Sequence, residues 1–429
     1  MQKLIVRGGN RLQGRVKISG AKNAALAILP AVLLASEKVL LNNVPDIIDV
    51  RTMLRIVEDM GMTIRRRGRN SLEFHPSGLR GFSPPFSLVQ KIRASSYLMG
   101  SLLGRFGKAM VPVPGGCDLG PRPIDQHLKG FTALGAACRI EHGVIRLAAD
   151  KLTGAHIYLD VVSVGATVNL MLGAVLAEGR TVLENVAKEP EVVDLANMLN
   201  AMGAVVKGAG TDVIKIDGVR ALGGAEHAII PDRIEAGTFM LGAAATGGKV
   251  TVGEVIPKHL EAVTAKLREM GVAVEVEPEQ ITVSRTGPLL PSDLKTFPYP
   301  GFPTDLQPLG MVLLTAAPGT SIVTENVFDN RFRHVDELEK MGAQIKVEGR
   351  AAVIDGGVPL SGAPVSATDL RAGAALLVAG LIARGETVLG EVDHIYRGYE
   401  NIENKLTALG AQIKRQNRGG SSGLTGDPG

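Results

Sequence analysis

The residues best suited to chemistry in this 429-residue chain are six cations, Lys22, Arg93, Arg122, Arg331, Arg371 and Arg397, and three carboxylates, Glu189, Asp305 and Asp369. Most lie at two recurring junctions. The first is the entry to an apolar stretch: Ala21-Lys22-Asn23, Ile92-Arg93-Ala94, Val164-Gly165-Ala166, Arg233-Ile234-Glu235, Pro303-Thr304-Asp305 and Asp369-Leu370-Arg371. Four of these six carry a cation where the free N–H groups and dipole of a helix start already favour anions, so each cation calls for an anion beside it. The second junction follows a short strand and holds Cys117, Glu189, Arg331 and Arg397. A single Lys or Arg at such a place is usually a solvated surface charge. Recurrence at one structural position points instead to a cleft for a polyanion, with carboxylates close enough to move or orient a proton.

Cys117 lies in PGGCDLGPRP, whose three glycines and three prolines suit an exposed reactive thiol better than a core cysteine. Cys138 falls in an alternating strand and reads as core. The eight histidines show no metal spacing, so no metal ion and no cofactor are expected. His127 is a helix-face residue unless the neighbouring loop is a ligand site.

The elements that position these residues come from a repeat. IVEDMGM, FTALGAA, LNAMGAV, LREMGVA, LEKMGAQ and LTALGAQ share a glycine at 61, 135, 203, 271, 342 and 410, spaced by 74, 68, 68, 71 and 68 residues. Each phrase ends an amphipathic stretch and precedes an alternating one, which makes the glycine a left-handed helix stop. Upstream in every unit is a more apolar helix: NAALAILPAVLLA, SSYLMGSLLGRF, GATVNLMLGAVLAEG, EAGTFMLGAAATGG, PLGMVLLTAAPG and RAGAALLVAGLIARG. Each unit therefore reads strand, buried helix, strand, outer helix and two strands. Six such units are compatible with one ring, three pairs or two bodies of three. The repeat also accounts for part of the glycine excess, 53 residues or roughly 12% against about 7% usually.

Composition narrows the function classes. A net charge of 47 minus 43, or +4, with the cluster Arg65, Arg66, Arg67 and Arg69 lacking interleaved aromatics, gives no nucleic-acid-binding stripe. Those arginines read as a solvated hairpin. Two cysteines exclude a disulfide framework and point to a reducing compartment. The N-terminus lacks a secretory apolar region, and the stretches 24–35 (interrupted by Pro30) and 372–383 are too short to span a bilayer. A cytoplasmic protein without a membrane partner is expected, with 419–429 an unstructured tail.

Ten ordered motifs then carry a resemblance: SGAKNAAL at 19–26, KIRAS at 91–95, PGGCDLGPRPIDQH at 114–127, SVGAT at 163–167, NVAKEPEVVD at 185–194, IPDRIE at 230–235, FPTDLQ at 302–307, DNRF at 329–332, ATDLRA at 367–372 and HIYRGYE at 394–400. Over residues 1–415 the chain resembles the UDP-N-acetylglucosamine enolpyruvyltransferases. The resemblance implies an α/β (α+β) fold of two similar domains, each three repeated units around buried parallel helices, an inside-out α/β barrel of EPSP-synthase type. It selects the two-body option, with 22–230 as one domain and 1–21 plus 231–418 as the other. It also implies transfer of the enolpyruvyl group of phosphoenolpyruvate to the 3-hydroxyl of UDP-N-acetylglucosamine with release of phosphate, opening peptidoglycan precursor synthesis.

By the same correspondence Lys22, Asn23, Arg122 and Arg397 hold phosphoenolpyruvate. Arg93, Arg122, Pro123, Ile124, Asp125, Gln126, Ser163, Val164, Gly165, Asp305 and Val327 contact the sugar nucleotide. Asp305 serves as base or orienter for the sugar hydroxyl, Cys117 as proton donor able to form a covalent phosphoenolpyruvate adduct, and Glu189, Asp232, Arg331, Asp369 and Arg371 support the site. Val161 departs from members with Lys there, which puts one diphosphate contact in doubt; Gln126 and Tyr396 also differ from some relatives. The rival readings are 5-enolpyruvylshikimate-3-phosphate synthase, against which the cysteine loop and SVGAT stand, and a non-catalytic sugar-nucleotide regulator.

Overall fold

A computed structural model describes residues 2–113 and 124–417. Cys117, Arg122, Pro123 and the 419–429 tail lie outside the described residues. Six apolar helices recur where the repeat places them: Lys22–Ala31, Leu98–Phe106, Val164–Ala174, Arg233–Thr246, Gln307–Thr315 and Leu370–Ile382. Their small residues let backbones approach. A Cβ on Gly100 would sit 2.2 Å from the Asn169 carbonyl oxygen, so the Leu98–Phe106 and Val164–Ala174 helices meet only because none is there. Pro30 does not interrupt its helix, which runs past it before tightening to a 3-10 turn at Val32–Leu34.

The six repeat glycines have φ between 80° and 100°, the left-handed stop that the phrase predicts. An L-residue there would cost about 1–2 kcal/mol. After each stop the chain enters a strand, and among the described residues five four-stranded sheets and one three-stranded sheet result. In most units the strand following the buried helix pairs in parallel with a preceding strand and antiparallel with the last, as where Lys249–Gly253 lies between Gln13–Lys17 and Gln280–Ser284.

Three strands depart from a purely sequential unit, and Gln13–Lys17, far in sequence from its partner Lys249–Gly253, is the first. Gln2–Arg7 inserts antiparallel between Glu386–Gly390 and Gln412–Asn417, filling a place that the last unit leaves empty. Ala225–Ala228 pairs in parallel with Val39–Asn42, so the first unit's opening strand comes from the middle of the chain. Local pattern specifies that a strand forms but not its partner. Cys138 is also not core: its strand, Ala137–Glu141, leaves the thiol half-buried.

Buried apolar residues form two clusters, one within 21–229 and one from 4–18 and 234–411. The chain passes between them twice, and the two crossings are hydrogen-bonded to each other: Ala21 N–H donates to Ile230 O at 2.7 Å and Asp232 N–H to Ser19 O at 2.9 Å. The Arg65–Arg69 cluster does sit on a hairpin, Thr63–Arg66 with Leu72–His75. No described helix is long and apolar enough to cross a membrane.

Candidate active site

Three of the helix-start cations, Lys22, Arg233 and Arg371, have the anions that their positions demand. Lys22, the first residue of its helix, places Nζ 2.9 Å from Asp49 Oδ2. Arg233 Nη2 lies 3.8 Å from Glu191 Oε2, and Arg371 Nη2 lies 2.8 Å from Asp305 Oδ2. Two aspartates cap the helices involved. Asp232 Oδ1 accepts from the N–H groups of Ile234 and Glu235 while its Oδ2 accepts the Lys22 N–H at 3.0 Å. Asp369 Oδ1 accepts from Arg371 and Ala372 N–H. A capped helix start is worth about 1 kcal/mol, and here each cap also fixes the adjoining cation's backbone.

Arg397 reaches the same carboxylate as Lys22, with Nε 2.9 Å from Asp49 Oδ1 and Nη2 3.3 Å from Oδ2. Asp49 belongs to the first apolar cluster's Ile48–Asp59 helix, whereas Arg397 follows Asp393–Tyr396 beside the second. The pair therefore spans the two bodies. Burial would raise the Asp49 pKa, but Lys22 and Arg397 outweigh it and hold the group below its ordinary value. The Lys22 amine is pushed down, first by burial and further by Arg371 and Arg397, against the pull of Asp49. Arg371 and Arg397 thus both repel the Lys22 ammonium, which favours an anion beside it.

Asp305 sits between Arg371 and Arg331, the latter donating from Nη2 at 3.2 Å to Oδ1. Burial pushes its pKa up, yet Arg371, Arg331 and Lys22 together hold it far below the usual carboxylate range. Arg331 is itself buried and also donates to the Thr304 carbonyl. Tyr399 supports Arg371 from beneath, with the guanidinium 5.5 Å from the ring centroid and the phenol paired to Thr238 at 2.8 Å.

Asn23 faces a second group. Its Nδ2 lies 3.4 Å from Glu191 Oε1, and Glu189, beside it, accepts the Tyr299 N–H at 3.3 Å. Burial first, then Glu189, raises the Glu191 pKa against Arg233.

Of the residues expected to contact the nucleotide, Arg93, Ile124, Asp125, Gln126, Ser163, Val164 and Gly165 gather near helix starts of the first body. The Arg93–Tyr97 turn packs on Val164–Ala174, as does the helix that begins at Asp125. Ser163 caps Val164–Ala174 by accepting the Ala166 N–H, and Gln126 ties Ile124 and Asp125 to the facing segment through Asp160 N–H at 2.9 Å and Asp160 Oδ2 at 3.0 Å. His127 is buried against Gly165. Asn169 gives its oxygen to Gly100 N–H, so its amide nitrogen donates to His127 Nδ1, leaving the proton on Nε2. Burial lowers this histidine to about 4. Val161 is exposed. Val327 lies in the second body, where Glu325 Oε1 accepts both its N–H and that of Phe328.

The sequence reading missed Asp49, Glu191 and Glu325. Glu325 is fully buried and its other oxygen accepts the Thr304 hydroxyl next to Asp305. Its sequence neighbours, Thr324 and Asn326, are themselves polar, so nothing local marks it.

Comparison with known proteins shows the family and the fold. The family model for EPSP synthase (3-phosphoshikimate 1-carboxyvinyltransferase) matches residues 6–406. A UDP-N-acetylglucosamine 1-carboxyvinyltransferase 3 of Caldanaerobacter subterraneus is 58% identical over 97% of this chain and 99% of its own length. A UDP-N-acetylglucosamine 1-carboxyvinyltransferase of Clostridium botulinum is 57% identical over 97% of this chain and all of its own. The crystal structure of the enolpyruvyl transferase NikO from Streptomyces tendae superposes with a TM-score of 0.88 at 28% identity over 96% of this chain and 98% of that one. EPSP synthase from Acinetobacter baumannii superposes at 0.73 with 20% identity over 97% of this chain and 100% of that one, a likeness of fold. The chain belongs to the enolpyruvyl transferase family of EPSP synthases and UDP-N-acetylglucosamine 1-carboxyvinyltransferases.

Proposed function

We propose that this protein is an enzyme that transfers the enolpyruvyl group of phosphoenolpyruvate to the 3-hydroxyl of UDP-N-acetylglucosamine, releasing phosphate. The observation that carries the reading is the meeting of Lys22 and Arg397, from opposite bodies, on one carboxylate beside the Asp305–Arg371 pair. Such a cluster is a preorganised seat for phosphate and carboxylate groups. The two apolar clusters correspond on this reading to domains 22–230 and 1–21 plus 231–418, closing over the substrates about Lys22.

In the addition step the sugar oxygen bonds to C2 of phosphoenolpyruvate, its hydroxyl proton leaves to water along the direction that Asp305 fixes, and C3 gains a proton from the Cys117 thiol. In the elimination step C3 returns a proton to the Cys117 thiolate, the C2=C3 double bond re-forms, and the C2–O bond breaks with its electron pair leaving on phosphate. Lys22, Arg122 and Arg397 hold phosphoenolpyruvate, with Asn23 adjoining. A carboxylate as strongly depressed as Asp305 is a weak base. Its part is to accept a hydrogen bond from the sugar hydroxyl and fix its direction, and Arg331 and Arg371 keep it charged for that. Arg93, Arg122, Pro123, Ile124, Asp125, Gln126, Ser163, Val164, Gly165 and Val327 receive the nucleotide. Cys117 supplies the C3 proton and can form the covalent phosphoenolpyruvate adduct. A reactive thiol of this kind suits the reducing cytoplasm.

The test is phosphate release with phosphoenolpyruvate and each acceptor. Release with UDP-N-acetylglucosamine alone supports the proposal; release with shikimate 3-phosphate instead, or with neither, refutes it.

A further inference from the structure

We infer that Glu400 is a positioning residue that carries Arg397 into the phosphoenolpyruvate seat by tying residues 397–401 to the opposite body. The inference rests on the function proposed above. These five residues form a strap with contacts in three directions. Arg397 reaches Asp49 across the cleft. Tyr399 is buried in the second body with its hydroxyl on Thr238. Glu400, 8% exposed, turns back to the first body, where its Oε2 accepts the Asp46 N–H at 3.2 Å and Asn70 Nδ2 at 3.3 Å, with Arg69 3.9 Å from Oε1.

The spacing makes the strap act as one piece. Arg397 and Glu400 are three residues apart and grip the first body at Asp49 and Asp46, also three apart. Gly398 between them has no room for a side chain: a Cβ would stand 2.6 Å from Leu370 Cδ2 and 3.2 Å from Lys22 Cδ. The strap is therefore pressed onto Lys22. At its far end Asn401 turns left-handed, φ 53°, into Ile402–Ala408. Lys405 of that helix binds Ser19 Oγ at 2.7 Å and Glu235 Oε1 at 2.6 Å, on the two crossings between the bodies. One short segment thus joins the crossings, the cleft's far wall and the arginine.

The Glu400 bonds are long, and both fall on one oxygen. A permanent strut would use shorter, bidentate contacts. Contacts of this kind can be broken when the bodies separate and remade when they meet, and Arg397 is withdrawn or delivered accordingly. Glu400 itself touches neither substrate seat.

The test uses the full chain, the Glu400→Ala and Glu400→Gln variants, steady-state kinetics with each substrate varied, and hydrogen exchange at the Asp46 amide. Glu400→Ala should raise KM for phosphoenolpyruvate about tenfold while KM for UDP-N-acetylglucosamine stays within about twofold, a loss near 1.4 kcal/mol confined to one substrate. Glu400→Gln, whose amide oxygen still accepts both bonds, should recover most of it. Equal effects on both KM values, or an unchanged KM for phosphoenolpyruvate, would overturn the assignment. If the wild-type chain turns over neither substrate, the proposed function fails separately, and exchange decides the tie: faster Asp46 exchange in Glu400→Ala supports it and equal exchange refutes it.

Discussion

Asp49 offers the sharpest perturbation, because its carboxylate occupies the two cations that an incoming phosphate needs. Asp49→Ala removes the Lys22 contact at 2.9 Å and the Arg397 contacts at 2.9 and 3.3 Å, leaving two cations facing each other in a mostly buried place. Breaking a buried pair costs about 3–5 kcal/mol. The Lys22 and Arg397 side chains keep 12% and 18% exposure, so water recovers part of that and a loss of about 2–3 kcal/mol is expected. Inorganic phosphate should then stabilise the variant more than the wild type, since it no longer competes with an internal carboxylate. A tenfold gain in phosphate affinity corresponds to about 1.4 kcal/mol at saturation. The assay is the thermal unfolding midpoint against phosphate concentration, with chloride at matched ionic strength as control. Equal or smaller phosphate stabilisation in Asp49→Ala would refute the idea that these cations form an anion seat.

Other consequences follow from the same geometry. Asp305→Asn should lower kcat by about 10²–10³-fold with little change in either KM, because the amide can donate as well as accept and no longer fixes the hydroxyl's direction; steady-state kinetics decides it, and a change in KM alone would contradict the role. Fosfomycin, an epoxide, should inactivate the wild type with time, and Cys117→Asp should be insensitive; equal sensitivity would move the reactive thiol elsewhere. Burial holds His127 at about 4 against an ordinary 6.5, so the unfolded chain binds its proton more readily and His127 stability is lost as pH falls from 6.5 towards 4. His127→Gln should flatten the stability–pH slope in that window by up to about 1.4 kcal/mol per pH unit, read from denaturant midpoints.

Much of the scaffold was legible because it is local. The glycines at 61, 135, 203, 271, 342 and 410 mark helix stops by their own φ, and the apolar helices announce themselves by composition. The helix-start cations were legible too, since their position alone is electrostatically unfavourable without a partner. What that partner is could not be read. Asp49 and Arg397 are 348 residues apart, and an aspartate in the first turn of an amphipathic helix looks like any solvated acid until the second body covers it. Glu400 was hidden in the same way, its partners Asp46 and Asn70 lying in the other body. The insertion of Gln2–Arg7 into the last unit's sheet is also long-range, set by which edge is open and not by the strand's own pattern.

The measurement that meets the central claim most directly is turnover in deuterium oxide with mass analysis of the nucleotide product. Addition followed by elimination passes through a carbon that has gained a solvent proton at C3. The account predicts a UDP-N-acetylglucosamine product carrying the enolpyruvyl group, with deuterium in its vinyl position and one phosphate released per product, without added metal. No such product, or a product with no deuterium in the vinyl group, would contradict it.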